Sequence, residues 1–170
     1  MSVKSIVLAL ATFTTALVAG LFYGFAVAIN PAFARLPAPQ YIAAMQAINE
    51  AIQNPIFLAS FLGAPFFLPL ATVLHVGRPV SRRCWLLGAA SIMYLVGSLG
   101  VTVAANIPLN ETLAAFPLQT ASPAAAVSAR AAFESPWNKW HRVRTIAATV
   151  ALGLAVGACL SAPAARAKPM

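Results

Sequence analysis

Four times along this chain, apolar residues continue for about the width of a bilayer, and charges are confined to the stretches between. The runs cover 5–29, 56–74, 84–105 and 143–160. A helical span needs about 20 such residues. Each run is apolar on every side, without the one-sided stripe of a helix lying on a soluble core. Four separate segments cannot close a barrel, so each must satisfy its own backbone as a helix. The pattern therefore predicts an all-α fold, a four-helix transmembrane bundle forming one domain over 1–162. The Pro/Ala-rich tail 163–170 is expected to be disordered. The first run follows Lys4 and precedes Ala32-Phe33-Ala34, which imitates a signal peptide. Its length exceeds the roughly 7–15 residues of a signal core, so an uncleaved helix is expected.

The connecting segments are unequal. On the N-terminal side they are short and basic. On the opposite side they are long and patterned. In 37–55, Tyr41, Met45, Ile48 and Ile52 recur at helical spacing, with Gln46, Asn49, Glu50 and Gln53 mostly opposite. This predicts a short amphipathic helix lying over the bundle or in the interface. Between the third and fourth runs, a proline-broken part and an Ala/Ser/Pro linker lead to a second short helix at about 123–133. Thus short amphipathic helices are expected in the loops on one side.

Composition agrees with lipid as the natural solvent. The chain is 61% hydrophobic and 8% charged, whereas a soluble domain is about 25% charged. The net charge of +8 lies in short clusters flanking apolar runs. That is the signature of membrane-helix flanks, and no nucleic acid is expected as a partner. Lys4, Arg78, Arg82, Arg83, Arg166 and Lys168 fall on the N-terminal side, against Arg35, Arg130, Lys139, Arg142 and Arg144 on the other. The count is close. The Arg78–Arg83 cluster sits in a very short loop, where the positive-inside bias is strongest. Both termini are therefore expected in the cytoplasm, with the chain in a bacterial inner membrane. Cys84 and Cys159 form neither a disulfide framework nor a zinc pattern.

The uncommon polar residues gather on the side opposite the termini. Asn30 closes the first run, Asn106 and Asn110 close the third, and "ESPWNKWHRVRT" opens the fourth. Asn138, His141 and Thr145 share one helical face, and Arg144 follows Trp137 and Trp140 on an adjacent one. The two tryptophans also suit an interfacial aromatic belt. Arg144 precedes a purely apolar run. A charge below the interface needs a partner or a wet cavity, and Glu111 is the expected partner. His75 and His141 end up roughly 30 Å apart across the membrane and cannot share a haem. No Cys/His cluster or grouped carboxylates predict a metal, and no cofactor is expected.

These features resemble the DUF1772 membrane family, which includes the fungal anthrone oxygenases. The resemblance rests on "GLFYGFAVAINPAF", "MQAINEAIQNPIF", "NIPLNETL" and "PWNKWHRVRT", in that order along nearly the whole chain. It implies a four-helix membrane bundle that oxidises an anthrone to an anthraquinone with O2, without metal or flavin. It implies His141 and Arg144 as catalytic residues; by their chemistry His141 is the expected base and Arg144 the expected holder of the oxyanion. Asn30, Asn106, Asn110, Trp137, Asn138 and Trp140 are the expected substrate-binding residues. The expected partners are the lipid bilayer and a lipophilic aromatic small molecule, with a homo-oligomer left open. Two rival readings stand beside the oxygenase: a non-catalytic carrier for a quinone-like molecule, and a structural partner in a membrane complex. Convergence of Asn106, Asn110, His141 and Arg144 on a cavity of about 300 Å³ or more would favour a small-molecule site.

Overall fold

Helix start signals are strong and local. Ser2, Asn54, Ser81 and Ser122 each accept a backbone N–H of the following turn through the side chain, which supplies one of the donors a helix start leaves open. Pro55 and Pro123 then occupy first-turn positions, where a missing N–H costs nothing. The computed structural model describes residues 2–161; the expectation for 163–170 lies outside them. It contains five helices: α1 Val3–Phe33, α2 Ala38–Ala51, α3 Pro55–Leu74, α4 Arg82–Ala114 and α5 Pro123–Leu160. Among the described residues there is no strand. Four of the helices, all but α2, are long and apolar enough to cross a membrane.

The spans are longer than the hydropathy pattern predicts, and the reason is proline. Asn30 and Asn106, expected at the ends of the first and third runs, are followed closely by Pro31 and Pro108. Each ring lacks an N–H and crowds the carbonyl four residues back. In both places the preceding turns widen into a π-helix, at Phe25–Ile29 and Thr102–Asn106, and the helix continues past the proline. A widened register absorbs the missing hydrogen bond and the ring. The second expected short helix, 123–133, is likewise not separate. It runs through Pro136 into the last span as one helix of 38 residues. "ESPWNKWHRVRT" is therefore mid-helix, not the mouth of a span.

The four long helices form a ring in which α1 packs on α3 and α5, and α4 packs on α3 and α5. Small residues set the spacing. Ala148, Ala151, Ala155 and Ala158 make a buried stripe on α5. A Cβ at Gly97 would come within 2.6 Å of the Ala147 Cβ, and one at Gly63 within 2.9 Å of the Thr14 methyl. Close backbone approach of this kind is how helices gain dispersion contact in lipid, which offers no hydrophobic drive between them. This alanine-rich core fills the half of the bundle nearer the termini. A second core of Phe25, Tyr41, Ile42, Met45, Leu113, Phe133 and Trp137 holds α2 against α5 and the end of α4. The space between the two cores is where the polar residues meet.

Candidate functional site

Trp137, His141, Arg144 and Thr145 follow one face of α5 at three- and four-residue steps, and all four are buried. The Trp137 and His141 rings stack, 4.8 Å between centroids and 8° from parallel. Two asparagines of α4 hold this face. Trp137 Nε1 donates to Asn110 Oδ1 at 2.7 Å, and Asn106 Nδ2 donates to the Trp137 carbonyl at 3.3 Å. Trp137 is thus a core residue anchored at two points, not part of a surface belt.

Arg144 is 8% exposed. The expected ion pair with Glu111 does not form; among the described residues the one salt bridge is Arg130–Glu134. Instead, Arg144 Nε donates to His141 Nδ1 at 3.1 Å and Nη1 to Thr102 Oγ1 at 3.3 Å. Its Cζ sits 4.3 Å from the Phe22 ring centroid and 5.2 Å from that of Trp137. A buried charge without an anion is costly. Here two neutral acceptors and two aromatic faces offset part of that cost. Thr102 can accept because its own hydroxyl donates to the Ser98 carbonyl at 2.8 Å, within the widened α4.

This arrangement fixes the imidazole. Arginine only donates, so His141 Nδ1 must be the acceptor and the ring proton sits on Nε2. Nε2 donates to the Phe22 carbonyl at 3.1 Å, in the turn before the π-helical part of α1. Thr145 Oγ1 lies 3.4 Å from the same nitrogen and donates to the His141 carbonyl at 2.7 Å. Both ring nitrogens are therefore engaged with protein. A base needs a free lone pair within reach of the proton it takes, and this ring has none to spare. In this arrangement the imidazole orients the Arg144 guanidinium.

Beside this cluster opens a cavity of about 720 Å³, well within the size range of small-molecule sites. Its walls are largely apolar, including Phe22 and Phe25 of α1, Phe57 and Phe61 of α3 and Ile107 of α4. Arg144, His141, Thr102, Trp137 and Asn110 face it from α4 and α5. Of the residues expected to bind substrate, Asn110 and Trp137 line it. Asn30, Asn106, Asn138 and Trp140 do not. Asn106 is fully buried behind the lining, where it supports Trp137. Trp140 points outward and sits near Lys139. Asn30, expected to close the first run, and Asn138, expected to open the fourth, both lie within continuous helices.

Sequence reasoning missed the outer wall. Gln46, Asn49 and Glu50 of α2, and Gln53 just beyond its end, all line the cavity, with Glu111 of α4. Their polarity reads from the sequence as a solvated face; α2 turns it over the opening. Gln46 Nε2 pins α2 there by donating to the Leu113 and Phe116 carbonyls at 2.9 and 3.1 Å. The signal available was composition: the chain has three acids, and two of them line this one cavity. Among the described residues no three His, Cys, Asp or Glu side chains gather as a metal site would require.

A four-helix bundle of membrane-spanning length, with a polar-ended apolar cavity in its core, is the class of protein these observations define. The chain belongs to the anthrone oxygenase family, whose model matches residues 47–154, more than half of the sequence. The match includes α3, α4 and the site-bearing part of α5. No curated protein and no solved structure matches the chain.

Proposed function

We propose that this protein is a cofactor-independent oxygenase embedded in a membrane, which oxidises a flat, lipophilic, phenolic substrate of the anthrone type with O2. The observation that carries this reading is the buried guanidinium opening onto a mostly apolar cavity. The overall change converts the substrate CH2 to C=O and reduces O2, releasing one water. Loss of a proton from the CH2 leaves an aromatic, electron-rich anion that can pass an electron to O2 directly. The protein must therefore shelter a polycycle, remove a proton and hold the resulting oxyanion. Phe22, Phe25, Phe57 and Phe61 shelter it. The Arg144 guanidinium presents planar donors to the oxyanion. His141 and Thr102 keep those donors aimed, and Asn110, locked by the Trp137 indole, lies on the same wall.

The test is oxygen uptake by the purified protein in lipid nanodiscs with 1,8-dihydroxyanthrone. Turnover that falls about 100-fold or more in Arg144→Ala is expected, since one oxyanion donor is worth about that much. Binding without uptake by the unmodified protein would make it a carrier instead. The localisation proposed with this function is a bacterial inner membrane with both termini cytoplasmic, supported by Arg78, Arg82 and Arg83 in one short loop. Fusion reporters at either end check it, and an external C-terminus would refute it.

A further inference from the structure

The oxygenase reading leaves the proton without an acceptor, because both nitrogens of His141 are occupied. Position excludes His141 as well. Its Nδ1 lies 3.1 Å from Arg144 Nε, so it stands at the end of the substrate that the guanidinium holds. In an anthrone the acidic CH2 is para to the carbonyl, on the far side of the central ring. The oxygen and that carbon are about 4 Å apart, and a contact of about 3 Å at each end puts holder and base about 10 Å from one another. A base must therefore come from the opposite wall of the cavity.

Two carboxylates line the cavity besides the Arg144 cluster, Glu50 of α2 and Glu111 of α4. Neither belongs to an ion pair among the described residues. Glu111 lies nine positions beyond Thr102 on the same helix, an axial rise of roughly 12 Å once the widened turns at Thr102–Asn106 are allowed for. Thr102 is where Arg144 is held, so Glu111 borders the same cavity as the guanidinium from a point well separated from it along α4. The residue before Glu111 is Asn110, fixed to the Trp137 indole at 2.7 Å. Glu50 lies next to the last residue of α2, on an element with no comparable anchor to the Arg144 cluster.

Resting on the oxygenase reading, we infer that Glu111 is the catalytic base: its carboxylate takes the CH2 proton while Arg144 holds the developing oxyanion across the ring. The C–H bond breaks, its electron pair moves into the ring system and onto the oxygen, and an O–H bond forms on Glu111. No electron leaves the substrate in this step. Because Glu111 is solvent-exposed, the proton passes on to water. O2 then takes electrons from the anion in a separate event.

The experiment separates these events. Full-length protein in nanodiscs is mixed with 1,8-dihydroxyanthrone without oxygen, and the long-wavelength absorption of its carbon-acid anion is followed; oxygen uptake is measured afterwards. Glu111→Gln is expected to bind the anthrone, form no anion, and turn over about 100-fold or more slowly, as the loss of a general base predicts. Glu111→Asp, which keeps a carboxylate, recovers part of both signals, and acetate added to Glu111→Ala does the same; a merely structural role would show neither rescue. Glu111→Gln forming the anion at the unmodified rate would overturn the assignment. So would loss of the anion in Glu50→Gln while Glu111→Gln retains it. If the unmodified protein forms the anion yet consumes no oxygen, and Glu111→Gln forms none, the oxygenase reading fails and the proton-acceptor role of Glu111 stands. If it neither binds nor ionises the anthrone, both fall.

Discussion

Arg144 donates to an imidazole and a hydroxyl rather than to a carboxylate, so its charge is only partly compensated. Arg144→Met removes that charge and keeps much of the stem. It also leaves His141 Nδ1 without a donor, a cost of about 1–3 kcal/mol. Against this stands the relief of desolvating the guanidinium, an effect of similar size. The melting temperature is expected to change little while turnover is lost, and thermal unfolding beside oxygen uptake checks it. A residue kept only for packing would show the reverse. His141 acts through Arg144, and its variants should be graded accordingly. His141→Ala empties a buried site and frees the Phe22 carbonyl, which should cost about 2–4 kcal/mol. His141→Gln, which can both accept and donate, should recover most stability and part of kcat with KM nearly unchanged. At this scale the sequence was legible in kind. Arg144, His141, Trp137 and Asn110 stand out as polar or aromatic residues beside an apolar run. Which of them touch one another was not legible, because the partner of Arg144 sits on its own helix and on α4 at once.

Among the elements, α4 shows how local chemistry sets the site. Its widened turns carry Thr102 into hydrogen-bonding range of Arg144 and let the helix pass Pro108. The Gly97 contact with Ala147 then sets how closely α4 approaches α5. Gly97→Ala should destabilise the bundle by about 1–3 kcal/mol through overpacking. Ala147→Gly in the same chain should restore most of it, and a double-mutant cycle on thermal unfolding measures the coupling. The amphipathic helix α2 was legible as a helix, but the destination of its polar face was not. Tyr41 of α2 is buried against Phe33 and Phe133. Burial, with Glu134 nearby, raises its phenol well above the ordinary value of about 10. The folded chain keeps this proton where the unfolded chain loses it. Stability contributed by Tyr41 is therefore present below pH 10 and declines as pH rises above it. Tyr41→Phe should flatten that alkaline decline in a series of melts from pH 8 to about 11.

At the scale of the whole molecule, hydropathy alone determined that four segments of this chain become helices long enough to cross a bilayer, because a backbone in hydrocarbon has no other way to satisfy itself. The distribution of asparagine, tryptophan, histidine and arginine determined, in turn, which end of the bundle would be polar. Tertiary structure decided the rest. It carried α1 and α4 through their prolines, fused the last loop helix to α5, moved Trp140, Asn30 and Asn138 off the cavity, and turned the polar edge of α2 over its opening. Periodicity reports how often a residue faces one way along its own helix. It carries no record of the angle at which another helix, hundreds of atoms away in the chain, presents a carbonyl, a hydroxyl or a ring. The Arg144–His141–Phe22 chain and the meeting of Arg144 and Glu111 on one cavity depend on those angles, and only packing sets them.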